Sequence, residues 1–213
     1  MARLNTLQSN QLPMPDSGMT DRLLTLPNVL TVLRIILTPV FLGLIFADSW
    51  YCKILALVVF TAASLTDFYD GRIARRSGTM TSFGRFMDPL ADKLLVSSAL
   101  ISFVMLGMVE AWLVGAMLMR DLVITVLRMV AIHRGHHVVT SQLAKWKTML
   151  QLVLIFGILV FMNVRVVTAK LAAEPVVLVG DVSYLVLNGL VASVTILAVV
   201  SGVRYLIENR KTL

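Results

Sequence analysis

The chain has 213 residues, of which 58% are hydrophobic and only 15% charged, and it carries a formal net charge of +7. A soluble domain carries about 25% charged residues, and with a mean hydropathy of +0.85 there is too little polar surface here to cover a water-soluble globule. A basic balance suits either nucleic acid or an anionic membrane surface, but the basic residues sit at the ends of apolar runs, which selects the membrane and excludes nucleic acid.

In chain order, Met1 to about Gly18 is polar and lacks the apolar stretch of a signal peptide, so residues 1–20 are expected to be a disordered leader. Asp21 to Asn28 is either a short juxtamembrane helix ending at Pro27 or an ordinary polar flank. Six apolar runs follow, at about 29–47, 51–72, 87–107, 111–133, 147–168 and 182–206, each near the length a bilayer-spanning helix needs. The expected fold is therefore all-α and polytopic, with six transmembrane helices. Cys52 is the only cysteine, which excludes an intrachain disulfide and a cysteine-based zinc site.

The connections give an orientation. Arg75, Arg76 and Arg85 lie between the second and third runs, Arg134 and Lys145 between the fourth and fifth, and Arg210 and Lys211 in the tail. The connections at 48–50 and 108–110 have no Lys or Arg. The positive-inside rule then places both termini and the two basic connections in the cytoplasm, at an inner or plasma membrane. Trp50, Trp112 and Trp146 suit interfacial anchoring, and His133, His136 and His137 are read as loop or interfacial residues, not ligands.

Ionisable groups inside a span cost about 2.5–3.5 kcal/mol each on insertion scales, yet Asp67, Asp70, Asp88 and Asp92 crowd into one stretch. Asp67, Asp70, Gly71 and Ala74 share a helical face by their spacing, and so do Asp88 and Asp92. Ser77-Gly78 within residues 75–86 is a turn signal, so the second and third spans are expected to run antiparallel with the aspartate pairs meeting at the cytoplasmic end. Carboxylates so placed repel unless cations bind between them. An all-oxygen donor set suits one or two hard divalent ions, Mg²⁺ or Mn²⁺, and metals so held suit phosphoryl chemistry. Gly71 and Ala74 leave room for a diphosphate, and Arg75 can reach a phosphate at the helix end. The competing reading is a set of buried salt bridges with Arg72, Arg75, Arg85 and Lys93.

The run Asp67-x2-Asp70-Gly71-x2-Ala74-Arg75-x8-Gly84-x3-Asp88-x3-Asp92 resembles the signature of the CDP-alcohol phosphotransferase family at every fixed position. The resemblance implies a single membrane domain over 21–213, six spans, a homodimer and an active site open to the cytoplasm. It implies that Asp67, Asp70 and Asp88 ligate metal, that Asp92 ligates or serves as general base, and that Gly71, Ala74, Arg75 and Gly84 shape and contact the CDP moiety. Outer blocks, Pro27-Asn28 with Thr31 and Arg34, Arg120-Asp121 with Arg128, and Lys145-Trp146-Lys147-Thr148, resemble the branch of the family that uses glycerol 3-phosphate. One departure is Asp121, where that branch leads one to expect glutamate.

Cations beyond the aspartates bear on the acceptor. Arg120 lies near the middle of the fourth run, where a lone arginine is costly unless it faces a polar cavity or an acid. A salt bridge to Asp121 is the alternative, although adjacent side chains leave a helix in different directions. Arg128 follows eight residues later, about 80° round the helix. Lys145 and Lys147 sit at the entry of the fifth run, where simple positive-inside anchoring is the competing reading. Together they are expected to grip the phosphate of glycerol 3-phosphate; Asn28, Thr31 and Arg34, three apart, would line the same cavity, the first two toward the CDP-lipid and Arg34 toward the acceptor. The expected reaction is transfer of the phosphatidyl group of CDP-diacylglycerol to glycerol 3-phosphate with release of CMP. The alternatives are another acceptor, phosphatidylglycerol or an inositol phosphate, and, from a different class, a cation transporter.

Overall fold

The computed structural model describes residues 26–77, 82–133, 142–171 and 181–209, with the side chains of 67–77 and 82–90 among those left out. The leader and the segment Asp21 to Thr25 lie outside the described residues. Every element among the described residues is helical: α1 (Leu26–Phe46), α2 (Trp50–Ser77), α3 (Ser82–Met105), α4 (Ala111–His133), α5 (Gln142–Leu171) and α6 (Asp181–Asn209).

Local chemistry explains several boundaries. Pro27 stands in the first turn of α1, where its missing N–H has no helical partner to lose. Asn28 is already inside that helix, so it is not its N-cap. Pro39 lies within α1, and just before it the Thr38 hydroxyl donates to the Arg34 carbonyl at 2.9 Å, a local bond of the kind that lets lipid-facing helices accommodate proline. α3 ends on a left-handed residue, Gly107 (φ 67°). Met108 N donates to Phe103 O and Gly107 N to Val104 O, both at 2.9 Å, which satisfies two terminal carbonyls in a Schellman arrangement.

α2 and α3 both overrun their apolar stretches. The connection expected over residues 75–86 shrinks to 78–81, because the polar turns that follow Thr66 and precede Lys93 continue the helices.

The helices close a ring in the order α1, α2, α5, α6, α4, α3, and α3 also touches α5 across it. α2 and α3 thus share two neighbours, α1 and α5. Short connections alternate the helix directions, so one end of the bundle gathers the α1–α2 and α3–α4 turns with the end of α5 and the start of α6. Ion and hydrogen-bond contacts tie that end together. Lys53 donates to the Ile45 carbonyl, the Lys170 ammonium lies 5.1 Å from the Trp50 ring centroid, Tyr184 donates to Glu110, and Glu110 N donates to Asn188 Oδ1 at 2.8 Å. The other end gathers the end of α2, the start of α3, the end of α4, the start of α5 and the end of α6. The aspartate-bearing turns therefore belong to this second end.

The core holds Phe41, Ile45, Phe60, Phe103, Ile155, Leu159 and Val191, with the Phe41 and Phe60 rings 5.7 Å apart. The outside is apolar too. Ile36, Val58, Ile101, Leu122, Val153 and Leu185 stand exposed, one on each helix. Helices apolar on both faces belong in lipid or in the core of a larger assembly. Among the described residues, Trp146–Lys170 and Val182–Asn209 are long and apolar enough to cross a bilayer, while Leu30–Phe46, Trp50–Thr66 and Lys93–Met105 are shorter apolar stretches.

At Gly107 an added Cβ would meet no atom within 4 Å, so replacement costs only the left-handed backbone. Gly107→Ala should lower stability by about 1–2 kcal/mol, and Gly107→Asn by less; thermal unfolding in detergent checks this, and midpoints equal to wild type would contradict it.

Candidate active site

Asp67, Asp70, Gly71, Ala74 and Arg75 occupy the last three turns of α2, and Gly84, Asp88 and Asp92 the first three turns of α3. The spacings i, i+3, i+4, i+7 on α2 and i, i+4, i+8 on α3 are realised on unbroken helices, so each set shares one helical face. The side chains of these eight residues lie outside the described ones, as do those of Asn28 and Lys145. Four aspartates thus fall on two helices at one end of the bundle, and carboxylates are the donor type that suits a hard divalent cation.

Next to that turn of α3 the described side chains form a buried charged cluster. Its centre is Asp121 on α4, 5% exposed. Lys147 of α5, 1% exposed, sets its ammonium 2.5 Å from both Asp121 oxygens. Arg120 Nη1 donates to Asp121 Oδ1 at 3.0 Å, and Lys93 Nζ stands 3.7 Å from Oδ2. Lys93 follows Asp92 directly on α3, so the cluster abuts the backbone that carries the last aspartate of the motif. Arg120 reaches α6 as well: Nε donates to the Ala198 carbonyl at 2.9 Å and Nη2 to Ser201 Oγ at 2.5 Å. One carboxylate thus joins α3, α4 and α5, and Arg120 adds α6.

Three cations around one carboxylate leave positive charge uncompensated among the described side chains. A buried surplus of charge is costly without a counter-charge. The arrangement suits an anionic substrate beside a carboxylate-bearing turn.

The expected acceptor residues are placed unevenly. Arg120 is in the cluster, half a bundle deep. Its bond to Asp121 corrects the expectation that neighbouring residues diverge too far to pair: the Cβ directions do diverge, but the long arginine side chain folds back to the adjacent carboxylate. Lys147, expected to meet the acceptor phosphate, spends its ammonium on Asp121 and is almost wholly buried. Arg128 is half-buried two turns along α4, its buried Nε without a hydrogen-bond partner among the described residues. Thr31 and Arg34 are buried one turn apart on α1. Lys93, a candidate partner for the aspartates, stands 3.7 Å from Asp121 among the described side chains.

The sequence marks Asp121 as a departure from an expected glutamate and as an alternative partner for Arg120, but not as the centre of a cluster, and it does not mark Ser201 or Gly202. The signal for Asp121 was available, since a second charge in mid-span needs a partner from another helix. Ser201 and Gly202 sit in an apolar run with nothing to mark them.

The chain matches the CDP-alcohol phosphatidyltransferase family over residues 24–187. It is 38% identical over 171 residues to a protein of Mycobacterium tuberculosis named probable phosphatidylglycerophosphate synthase, a match covering 76% of this chain and 81% of the relative. It is 37% identical over 146 residues to the CDP-diacylglycerol–glycerol-3-phosphate 3-phosphatidyltransferase of Bacillus subtilis, covering 63% of this chain and 76% of that one. A third relative, CDP-diacylglycerol–glycerol-3-phosphate 3-phosphatidyltransferase 2 of Arabidopsis thaliana, is 33% identical over 165 residues, 70% of each chain.

The Asp121 cluster carries a stability prediction. Asp121→Asn leaves the buried Lys147 ammonium without its counter-charge and should destabilise the fold by about 3–5 kcal/mol. Adding Lys147→Met should restore most of that loss. Thermal unfolding of the two variants and the double variant tests the pairing; additive losses would contradict it.

Proposed function

We infer that this chain, which belongs to the CDP-alcohol phosphatidyltransferase family, transfers the phosphatidyl group of CDP-diacylglycerol to sn-glycerol 3-phosphate, giving phosphatidylglycerophosphate and CMP. The relatives named for this reaction support the acceptor. The observation that carries it is the gathering of Lys93, Arg120 and Lys147 around Asp121 among the described side chains, which suits an acceptor bearing its own phosphate.

The proposed roles follow from the chemistry. Asp67, Asp70, Asp88 and Asp92 hold one or two divalent cations, Mg²⁺ or Mn²⁺, which when bound neutralise the diphosphate of the CDP-lipid. Gly71, Ala74 and Gly84 give the diphosphate room, and Arg75 contacts it, with Asn28 and Thr31 of α1 beside the CDP-lipid. Arg120, Arg128, Lys145 and Arg34 receive the acceptor phosphate, and Lys147 adds its charge from behind Asp121. Asp92 takes the proton of the terminal hydroxyl of glycerol 3-phosphate. That oxygen forms a bond to the phosphorus next to the lipid glycerol, and the bond from this phosphorus to the CMP oxygen breaks. The displacement is direct and needs no covalent enzyme intermediate.

All six helices cross the membrane in this proposal, with both termini and the active site on the cytoplasmic side. At about 1.5 Å per residue, helices of 21 to 30 residues are about 32–45 Å long, enough for a hydrocarbon core of about 30 Å. Exposed Trp50 and Trp112 at one end and Trp146 at the other suit the two interfaces. The protein works as a homodimer in the cell membrane, with CDP-diacylglycerol entering laterally from the bilayer and glycerol 3-phosphate from the cytoplasm.

Purified protein with CDP-diacylglycerol and Mg²⁺, offered labelled glycerol 3-phosphate, inositol phosphate, serine or phosphatidylglycerol in turn, should release CMP with glycerol 3-phosphate. Release only with another acceptor would sink the acceptor assignment, and release with none would sink the enzyme. Asp92→Asn should cut turnover by about 10²–10⁴-fold with folding intact; retained activity would remove its role as base.

A further inference from the structure

Arg120 is held by more than its ion pair. Its side chain lies against one turn of α6, where Ala198 supplies a carbonyl to Nε and Ser201 a hydroxyl to Nη2. Gly202 is what permits the approach. A Cβ added there would stand 3.0 Å from Arg120 Cγ and 3.1 Å from Nε, tighter than ordinary contact. Five other described glycines would meet nothing within 4 Å, Gly189 of the same helix among them. The notch is therefore particular to the place where the arginine crosses. With Nη1 committed to Asp121, three edges of the guanidinium are fixed from two helices. Its other N–H groups remain uncommitted among the described residues.

We propose that Ser201 and Gly202, with the Ala198 carbonyl, form a seat that presets the Arg120 guanidinium for the acceptor's phosphate, making both residues positioning residues that set acceptor affinity. This deepens the proposed function and rests on its assignment of Arg120. Preorganisation is the physical reason for such a seat. A flexible arginine must be ordered when it binds, whereas one already bonded on three sides brings its remaining donors in a fixed fork. Both residues lie beyond residue 187, where the family match ends.

The test uses the full chain in lipid nanodiscs with CDP-diacylglycerol and Mg²⁺, following CMP release as glycerol 3-phosphate is varied. Ser201→Ala removes one bond to Arg120; Gly202→Ala pushes its side chain off the Ala198 carbonyl. Each should raise KM for glycerol 3-phosphate by about tenfold, the scale of one hydrogen bond to a charged group, while KM for CDP-diacylglycerol stays at the wild-type value. The inhibition constant of inorganic phosphate, a probe of the same grip, should rise in parallel. Gly189→Ala, in open space on the same helix, should change none of these. Unchanged glycerol 3-phosphate KM in Ser201→Ala and Gly202→Ala, or equal rises for both substrates, would overturn the seat. Should Gly202→Ala fail to fold, Ser201→Ala decides alone. A wild-type protein that ignores glycerol 3-phosphate would instead overturn the function on which the seat rests, and the wild-type arm reads that separately.

Discussion

Asp121 is a carboxylate buried among cations in a chain that has apolar surface both inside and out, and the packing of α3, α4, α5 and α6 is arranged around that fact. A charge so placed cannot be left alone, because desolvation costs several kcal/mol per ion. Lys147 meets both its oxygens, Arg120 closes one edge and Lys93 approaches the other. Each partner comes from a different helix or from the neighbouring residue, so satisfying one carboxylate sets α3, α4 and α5 relative to one another, and the reach of Arg120 onto Ser201 adds α6. The opposite end is held by weaker means, an exposed tyrosine–glutamate bond and an ammonium over an indole ring.

The cluster also links the fold to chemistry. Lys93 is one residue beyond Asp92, so the helix turn that presents the last aspartate is the turn that the cluster anchors. Among the described side chains, pairing consumes one negative charge and leaves two of the three cations around Asp121 unmatched. In the proposed function those cations favour an acceptor with a phosphate over a neutral alcohol. Membership of the CDP-alcohol phosphatidyltransferase family accounts for the aspartate signature; in the proposed function the cations around Asp121 account for the choice of acceptor.

Much of this was legible in the sequence. The six apolar runs fall on the six helices, and the connection expected at 108–110 follows directly on Gly107, whose left-handed backbone ends α3. Hydropathy located the helices well because each carries an apolar stretch, but it located their ends poorly. α2 continues to Ser77 and α3 begins at Ser82, since the polar turns that carry the aspartates need backbone bonds as much as the apolar ones do. The aspartate motif was readable because its chemistry is carried by residue type and spacing. The acceptor side was not, because it depends on partners brought from elsewhere in the chain. Lys147 read as a free cation when it is a buried counter-ion, and Arg120 and Asp121 read as divergent neighbours when side-chain length lets them pair. Gly202 carried no signal, because its meaning lies in an arginine far away in the sequence.

The central claim is that the cations gathered beside the aspartate turn receive the acceptor's phosphate. It is tested most directly by Arg120→Met, which keeps the length and apolar stem but removes the guanidinium. Steady-state CMP release with each substrate varied should show KM for glycerol 3-phosphate raised by about tenfold or more, the loss of a charged hydrogen-bonding partner, with KM for CDP-diacylglycerol unchanged. An Arg120→Met enzyme with wild-type KM for glycerol 3-phosphate would contradict the account.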